Sequence, residues 1–308
     1  MRLGLPVDLG RIRELVSGTE KESLKPLKLE LFVDETVSPA LRAAARDCFR
    51  PESPNLTVLP ASYGMAVSSE ITDFEVCESA DLSVILAGSS PLSAVLMLQV
   101  QFKQRPVVIV CEDLAKFIPA WPTELLDIDS SNLVALSPSV LEQEGLPALF
   151  ANLAKWIITT QAENRLAWAR SLGFVRQVLS RDIVNQTSMQ NGVIATVIFI
   201  PGADLPVLLI NQLRMFLRLA AIYGLLLNNQ RYRELLVIVL TSFGWRGLAR
   251  RLASSLPAVS WAVKGVVGYS GTLALGKAAE MYLEQLRLSL EDGEAPEQQE
   301  QQILHDEA

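Results

Sequence analysis

Histidine is nearly absent from this sequence, and its absence removes several catalytic classes. The 308 residues include one histidine, His305, near the end of the chain. Serine and cysteine hydrolases with a histidine base need that residue beside the nucleophile, and histidine-ligated zinc sites and two-histidine metalloproteases need it as a ligand. The sequence therefore predicts no catalytic residues of these classes, no metal site and no cofactor.

Cysteine is sparse as well. Cys48, Cys77 and Cys111 are far apart, and no Cys-x-x-Cys pair occurs, so neither a zinc knuckle nor a dithiol redox site is indicated. Cys48 and Cys111 lie in apolar or helical patterns and are expected to pack as small hydrophobes. Free thiols and the lack of an apolar secretory signal favour the cytoplasm, or the cytoplasmic face of the inner membrane.

Long apolar runs are missing too, although mean hydropathy is positive, +0.27. A membrane-spanning helix needs about 20 apolar residues without charge, and the longest charge-free stretch, 183–203, contains several amide side chains. Arg246, Arg250 and Arg251 form a basic amphipathic pattern with neighbouring tryptophan and leucine residues, which suits an anionic lipid surface. The alternative is a solvated arginine face over a buried stripe.

The net charge of −7 conceals three differently charged regions. Residues 1–160 carry 13 basic and 21 acidic side chains, residues 161–290 carry 14 and 6, and residues 291–308 carry 7 acidic side chains and no basic one. We therefore expect an arm over residues 1–24, an α/β domain over 25–160, an all-α helical domain over 161–290 and a disordered acidic tail over 291–308.

The acidic region alternates between strand and helix patterns. Strands are predicted over 27–33, 56–59, 82–87, 107–111 and 133–136, and helices over 38–49, 91–102 and 145–160. Continuous apolar runs such as LSVILA and VVIVC are typical of strands buried on both faces. Strands separated by helices predict a mostly parallel sheet.

The segments 79–86 (SADLSVIL), 105–110 (RPVVIV) and 133–137 (LVALS) occur in an order that resembles a small GTP-binding domain of the Era/TrmE type. The resemblance covers roughly residues 27–160 and implies a GTPase-like fold. Each nucleotide motif is nevertheless missing: the first strand is followed by DETVSP, without glycine or lysine, and the guanine reader is replaced by CEDL. The chain is then a pseudo-GTPase or, alternatively, a Rossmann-like sheet that never bound nucleotide.

Glu112 and Asp113 follow a predicted strand, where α/β sheets usually place ligands. A helix N-cap at Asp113 is the alternative explanation, and the one we favour.

The region after residue 161 is helical throughout, and one predicted helix, 205–227, carries a narrow polar seam. Asn211, Arg214 and Arg218 fall on one face of it, and Asp204 is placed to cap it. The segments IPGAD (200–204), NQLRM (211–215), AAIYG (220–224) and 265–282 resemble the domain-of-unknown-function family 697. This family occurs in YcjF-type bacterial inner-membrane proteins and beside Era-like GTPases, so the resemblance implies association with membranes or GTPases and no defined activity.

Gly268, Thr272 and Gly276 place small residues on one face of a predicted helix, which favours close approach of a second helix over a nucleotide loop. Arginines scattered through apolar helices do not indicate nucleic acid as a partner. The sequence thus predicts a non-enzymatic scaffold whose helical domain docks on a membrane surface or a partner GTPase. The alternative is a nucleotide-binding or hydrolytic enzyme with an unrecognised site.

Overall fold

A computed structural model describes residues 9–34, 36–59, 79–88, 106–113, 132–136, 138–197, 205–225 and 260–291. The chain divides into two compact units. One, the α/β unit, spans Glu22–Leu179, and the other, the helical unit, combines the residues before Glu22 with those from Ser180 onward. The boundary predicted at residue 160 thus lies before two further helical segments that belong to the first unit.

The α/β unit contains a five-stranded sheet in which every pairing is parallel, as the sequence predicts. Its strands are β1 (Leu27–Val33), β2 (Leu56–Leu59), β3 (Leu82–Leu86), β4 (Val107–Asp113) and β5 (Leu133–Leu136). Their order across the sheet is β2-β1-β3-β4-β5. β4 extends two residues beyond its predicted end, with an irregularity between Cys111 and Asp113.

The strands β1, β3 and β4 are largely buried because most of their side chains are apolar on both faces of the sheet. All five residues of β3 are buried, and so are the side chains of Val107–Cys111 in β4. A buried polar pair lies in register on neighbouring strands, where the hydroxyl of Ser83 donates to the carboxylate of Glu30 at 3.0 Å. Hydrogen bonding of this kind offsets the cost of removing a carboxylate from water.

Helix α1 (Leu9–Ser23) precedes the sheet, and α2 (Pro39–Cys48) connects β1 to β2. After β5 follow α3 (Pro138–Thr160) and α4 (Arg165–Ser171). α3 is broken at Gly145, whose φ of 66° lies in a region that favours glycine. Phe49 at the end of α2 meets Phe150 and Phe174 edge to face, with ring centroids 5.5–6.2 Å apart, which ties α2 to the helices behind it.

The helical unit is built on α5 (Gly173–Val197, from Ser180 onward), α6 (Leu205–Ile222) and α7 (Ser260–Glu291). α5 and α7 run antiparallel and touch through glycines of α7. A Cβ on Gly276 would lie 2.5 Å from Val184, and one on Gly268 would lie 2.8 Å from the Cβ of Ala195. Only glycine permits this approach, because any larger residue would push the two helices apart.

Among the described helices, none has the length and apolar character needed to cross a membrane. The predicted helix 91–102, the Asp204 cap and the basic group Arg246, Arg250 and Arg251 lie outside the described residues. These remain predictions.

Candidate functional site

The carboxyl ends of β1 and β3 form the edge where a doubly wound sheet of this strand order places its ligands. The connections reverse direction between these two strands, and the resulting crevice is the usual binding site. Asp34 follows β1, Gly88 follows β3 at a distance of two residues, and Glu112 lies near the end of β4. We call this the sheet edge.

The loop after β1 is held in place by its own side chains. The Asp34 carboxylate accepts hydrogen bonds from the backbone N–H of Thr36 at 2.8 Å and from its hydroxyl at 2.9 Å. The backbone N–H of Asp34 donates to the carbonyl of Leu86 at 3.0 Å, and that of Val37 donates to the carbonyl of Asp34 at 3.2 Å. The backbone N–H groups of Asp34, Thr36 and Val37 are thus bonded within the protein and not open to a phosphate.

Thr36 occupies the space that a side chain at position 88 would need. A Cβ added at Gly88 would overlap the Thr36 hydroxyl and lie 2.6 Å from its carbonyl oxygen. The backbone after β3 therefore passes directly against the loop after β1. The protein itself occupies the space between the two strand ends.

The N-terminus of α2 is already bonded to an acidic side chain through its capping residue. Ser38 accepts a hydrogen bond from the backbone N–H of Leu41 at 3.0 Å and donates one to Oε1 of Glu112 at 2.7 Å. Pro39, the first residue of the helix, has no N–H to offer. A helix N-terminus favours one anion, and here the Glu112 carboxylate takes part of that role.

The prediction that Glu112 and Asp113 follow their strand is wrong in one respect: both are its last residues. The register shifts at the bulge after Cys111, so the strand continues beyond its apolar run.

Sequence reasoning missed the Ser38–Glu112 hydrogen bond, which joins residues 74 positions apart. The sequence indicated only that Ser38 and Glu112 each come after an apolar run, and that both runs end at the carboxyl end of the sheet. The N-cap hypothesis for Asp113 concerns a helix outside the described residues.

The described residues contain no group of three or more histidine, cysteine or acidic side chains placed to hold a metal. Cys111 is buried in β4. Burial, with a smaller contribution from the Asp47 charge, raises the pKa of Cys48 to about 11. A thiol held neutral in this way is a poor nucleophile.

Polar residues lie on one face of α6, as predicted, and one of them, Asn211, bonds to a residue inside the helical unit. Arg214 is exposed, whereas Asn211 and Arg218 are half-buried. Asn211 donates its amide to the Oδ1 atom of Asn191 on α5 at 3.0 Å. The seam therefore has a solvated side and a side bonded to another helix.

Thr272 of α7 is the centre of a buried hydrogen-bond network that joins three helices. Its hydroxyl accepts from the amides of Asn191 at 3.0 Å and Gln212 at 3.2 Å, and donates to the carbonyl of Gly268 at 2.8 Å. One donor and two acceptor positions are all that a hydroxyl has, so this group is saturated. Gln212 belongs to the NQLRM segment of the family resemblance, but neither it nor Asn191 was predicted to hydrogen-bond between helices. Their signal was the occurrence of amides in otherwise apolar helices.

An exposed apolar surface lies along the same helix pair, and we call it the α5–α7 surface. Its residues and exposed fractions are Met189 (68%), Val193 (59%), Val197 (61%), Val266 (66%) and Tyr269 (40%). The first three recur every four residues and so share one face of α5. Tyr269 lies against the same helix, because its Cβ is 3.1 Å from the position of a Cβ on Gly192, the residue before Val193. Such a cluster typically marks an interaction site.

The candidate site residues thus fall into groups in different units. Asp34, Ser38 and Glu112 close the sheet edge, while Asn211, Gly268 and Gly276 take part in helix packing. No protein-family model, no curated protein and no solved structure matches this chain.

Proposed function

We propose that this protein is a non-catalytic scaffold. Its α/β unit is a GTPase-like domain that does not bind nucleotide, and its helical unit docks on a partner protein, such as a GTPase, or on an anionic membrane surface. The observation that carries the first part is the closed sheet edge. Asp34 and Thr36 bond to one another where a nucleotide phosphate would lie.

Electrostatics support the same conclusion. Asp34 and Glu112 place two carboxylates at the edge, and a triphosphate brought close to them would be repelled. The Ser38 bond to Glu112 further supplies the N-terminus of α2 with its own anion. Opening the edge for a nucleotide would break at least three hydrogen bonds that hold the loop.

The experiment is isothermal titration of the full chain with GTP, GDP and ATP in the presence of magnesium, together with a phosphate-release assay. We expect neither binding at micromolar concentration nor hydrolysis above buffer. Asp34→Asn removes a charge at the sheet edge. Asp81→Asn is its control: Asp81 lies just before β3, at the opposite end of that strand, and its carboxylate accepts a hydrogen bond from the backbone N–H of Lys28 in β1. Micromolar GTP binding or phosphate release by the unaltered chain would overturn the proposal, and a change of that binding in Asp34→Asn but not in Asp81→Asn would assign it to the sheet edge.

The α5–α7 surface supports the docking part, because exposed apolar side chains grouped on one surface commonly mark an interaction site. Co-sedimentation with phosphatidylglycerol vesicles at low and high salt separates the two kinds of target. Val193→Asp should abolish pelleting, and Gln285→Asp, the same charge at an exposed site of α7, should not. Weaker binding in a triple Arg246/Arg250/Arg251→Glu variant would assign an electrostatic share to those residues. If nothing pellets, the surface serves a protein partner.

A further inference from the structure

Helix α7 is largely apolar on both of its sides. Its buried side packs on α5 through Gly268, Gly276 and the hydroxyl of Thr272. Its other side is open to water, yet of the thirteen exposed residues between positions 266 and 290 only Lys277 is charged. A surface helix usually carries charged side chains on the face opposite the core. The exposed side of α7 therefore has the composition of a second packing face.

Six exposed residues of α7 recur at steps of three, four or seven and so share one face, which we call the outer face. They are Ser270, Ala274, Lys277, Ala278, Met281 and Leu288. Met281 is 65% exposed and Leu288 is 45% exposed. Large apolar side chains left open on a face with one charge favour contact with another apolar surface.

We propose that the outer face of α7 binds the outer face of a second copy of this chain, with the two helices antiparallel. The pair has two-fold symmetry, so each contact between unlike residues is made twice. The outer face shares no residue with the α5–α7 surface. The proposal is therefore independent of docking to a membrane or to a GTPase.

The sizes of the side chains fit an antiparallel pair. The small residues Ser270 and Ala274 lie in the first half of the outer face, and the large residues Met281 and Leu288 lie in the second half. When the two helices run in opposite directions, the large side chains of one copy lie over the small ones of the other, along about 27 Å of helix. A parallel pair would place Met281 against Met281 and leave Ala274 facing Ala274, which packs less densely.

The charges of α7 favour the same orientation. Residues 260–277 carry two lysines and no acid, whereas residues 278–291 carry three glutamates and one arginine. An antiparallel pair brings Lys277 of each copy towards Glu284 of the other, whereas a parallel pair brings Lys277 towards Lys277. Glu284 bonds to Arg287 through Oε1, and a carboxylate accepts through both of its oxygens, so Glu284 can also accept from a lysine.

The same charges count against an anionic bilayer as the occupant of the outer face. Glu280 and Glu284 lie on either side of Met281 in the sequence, in the half of the face that carries the large apolar residues. Phosphatidylglycerol headgroups would meet these carboxylates on approaching Met281 and Leu288. A second copy of α7 instead presents Lys277, which complements them.

Sedimentation equilibrium of the full chain tests the proposal. We expect a monomer–dimer equilibrium that Met281→Glu weakens about tenfold or more, because a charge replaces an apolar contact that is made twice. Met189→Glu is the matched control, since Met189 is 68% exposed on α5 and lies outside the outer face. It should change the dissociation constant by less than about twofold.

Two results of this experiment would overturn the proposal. One is an unaltered chain that is still monomeric at about 100 μM. The other is a loss of association in Met281→Glu no greater than the loss in Met189→Glu. Both side chains are exposed, so neither substitution disturbs the core.

The orientation is tested by charge reversal and by cross-linking. Lys277→Glu should weaken an antiparallel pair about threefold or more, whereas in a parallel pair it exchanges one like-charge contact for another. A short bismaleimide should join Ser270→Cys of one copy to Leu288→Cys of another in a mixture. Either variant alone should give only the background of the unaltered chain, because identical positions are about 27 Å apart in this arrangement. Cross-linking of either variant with itself at the level of the mixture would exclude the antiparallel pair.

Discussion

The two units of this protein hold their elements in register in different ways. In the α/β unit, backbone hydrogen bonds join neighbouring strands, and the side chains between layers are almost entirely apolar. In the helical unit no backbone bond can join one helix to the next, and polar side chains such as Asn191, Gln212 and Thr272 are buried at the contact. Where the backbone cannot specify register, buried amides, a hydroxyl and close glycine contacts do so.

The sharpest test of this difference is Thr272→Val, which keeps the shape and removes the hydroxyl. Two buried amide groups then lose their acceptor, so we expect about 2–4 kcal/mol of lost stability in chemical denaturation. Thr187→Val is the matched control on α5, since that buried hydroxyl bonds only to the Ile183 carbonyl of its own helix. It should lose less than about 1 kcal/mol. Equal losses would mean that the network does not hold the helices together.

The next test asks whether the close contact between Gly88 and Thr36 at the sheet edge leaves no room for a side chain, in comparison with an uncrowded glycine of α7. Gly88→Ala places a methyl group against the backbone of Thr36 and should destabilise the protein by about 1–3 kcal/mol. Gly271→Ala is the control, because its added Cβ has no atom within 4 Å apart from the backbone of its own helix. That change lies inside α7 and should stabilise the protein by about 0.5–1 kcal/mol. Thermal melts of both variants should therefore shift in opposite directions.

A third test compares an ion pair in each unit. Arg176, at 6% side-chain exposure, pairs with Glu52 and joins the loop after α2 to α5. Arg287 pairs with Glu284 within α7, where the carboxylate is 41% exposed. Arg176→Met should cost about 1–3 kcal/mol, and Arg287→Met a few tenths at about the level of surface helix pairs. Similar melting temperatures for the two variants would contradict this ranking.

The smallest expected effect is the pH dependence that Cys48 contributes. Its pKa is raised from 9.0 to about 11, so the unfolded chain releases this proton first as pH rises. The thiol's contribution to stability is thus complete below pH 9.0 and is lost as pH approaches 11. Cys48→Ala should show a smaller drop in melting temperature between pH 8 and 10.5 than the unaltered chain. Identical drops would mean that the thiol is not held neutral.

Periodicity predicted the strands and α2, whereas α1 was assigned to an arm and α6 ends at Ile222, before the predicted end at residue 227. The five strands were located from their apolar runs, and α2 was predicted over 38–49; the structure adds that Ser38 is its N-cap. The end of β4 was missed because a bulge carries the strand past its apolar residues. The resemblance to a degenerate GTPase domain and to the YcjF-like family remains a prediction.

What the sequence determined by itself is chemical: one histidine, no phosphate-binding loop after β1, and amides within apolar helices. The tertiary structure decided what those residues do. It joined Ser38 to Glu112 across 74 positions and Asn191 to Thr272 across 81, and it brought Gly88 against Thr36. Local patterns fix strands and helices because neighbouring residues set the backbone, whereas these contacts depend on which elements pack side by side.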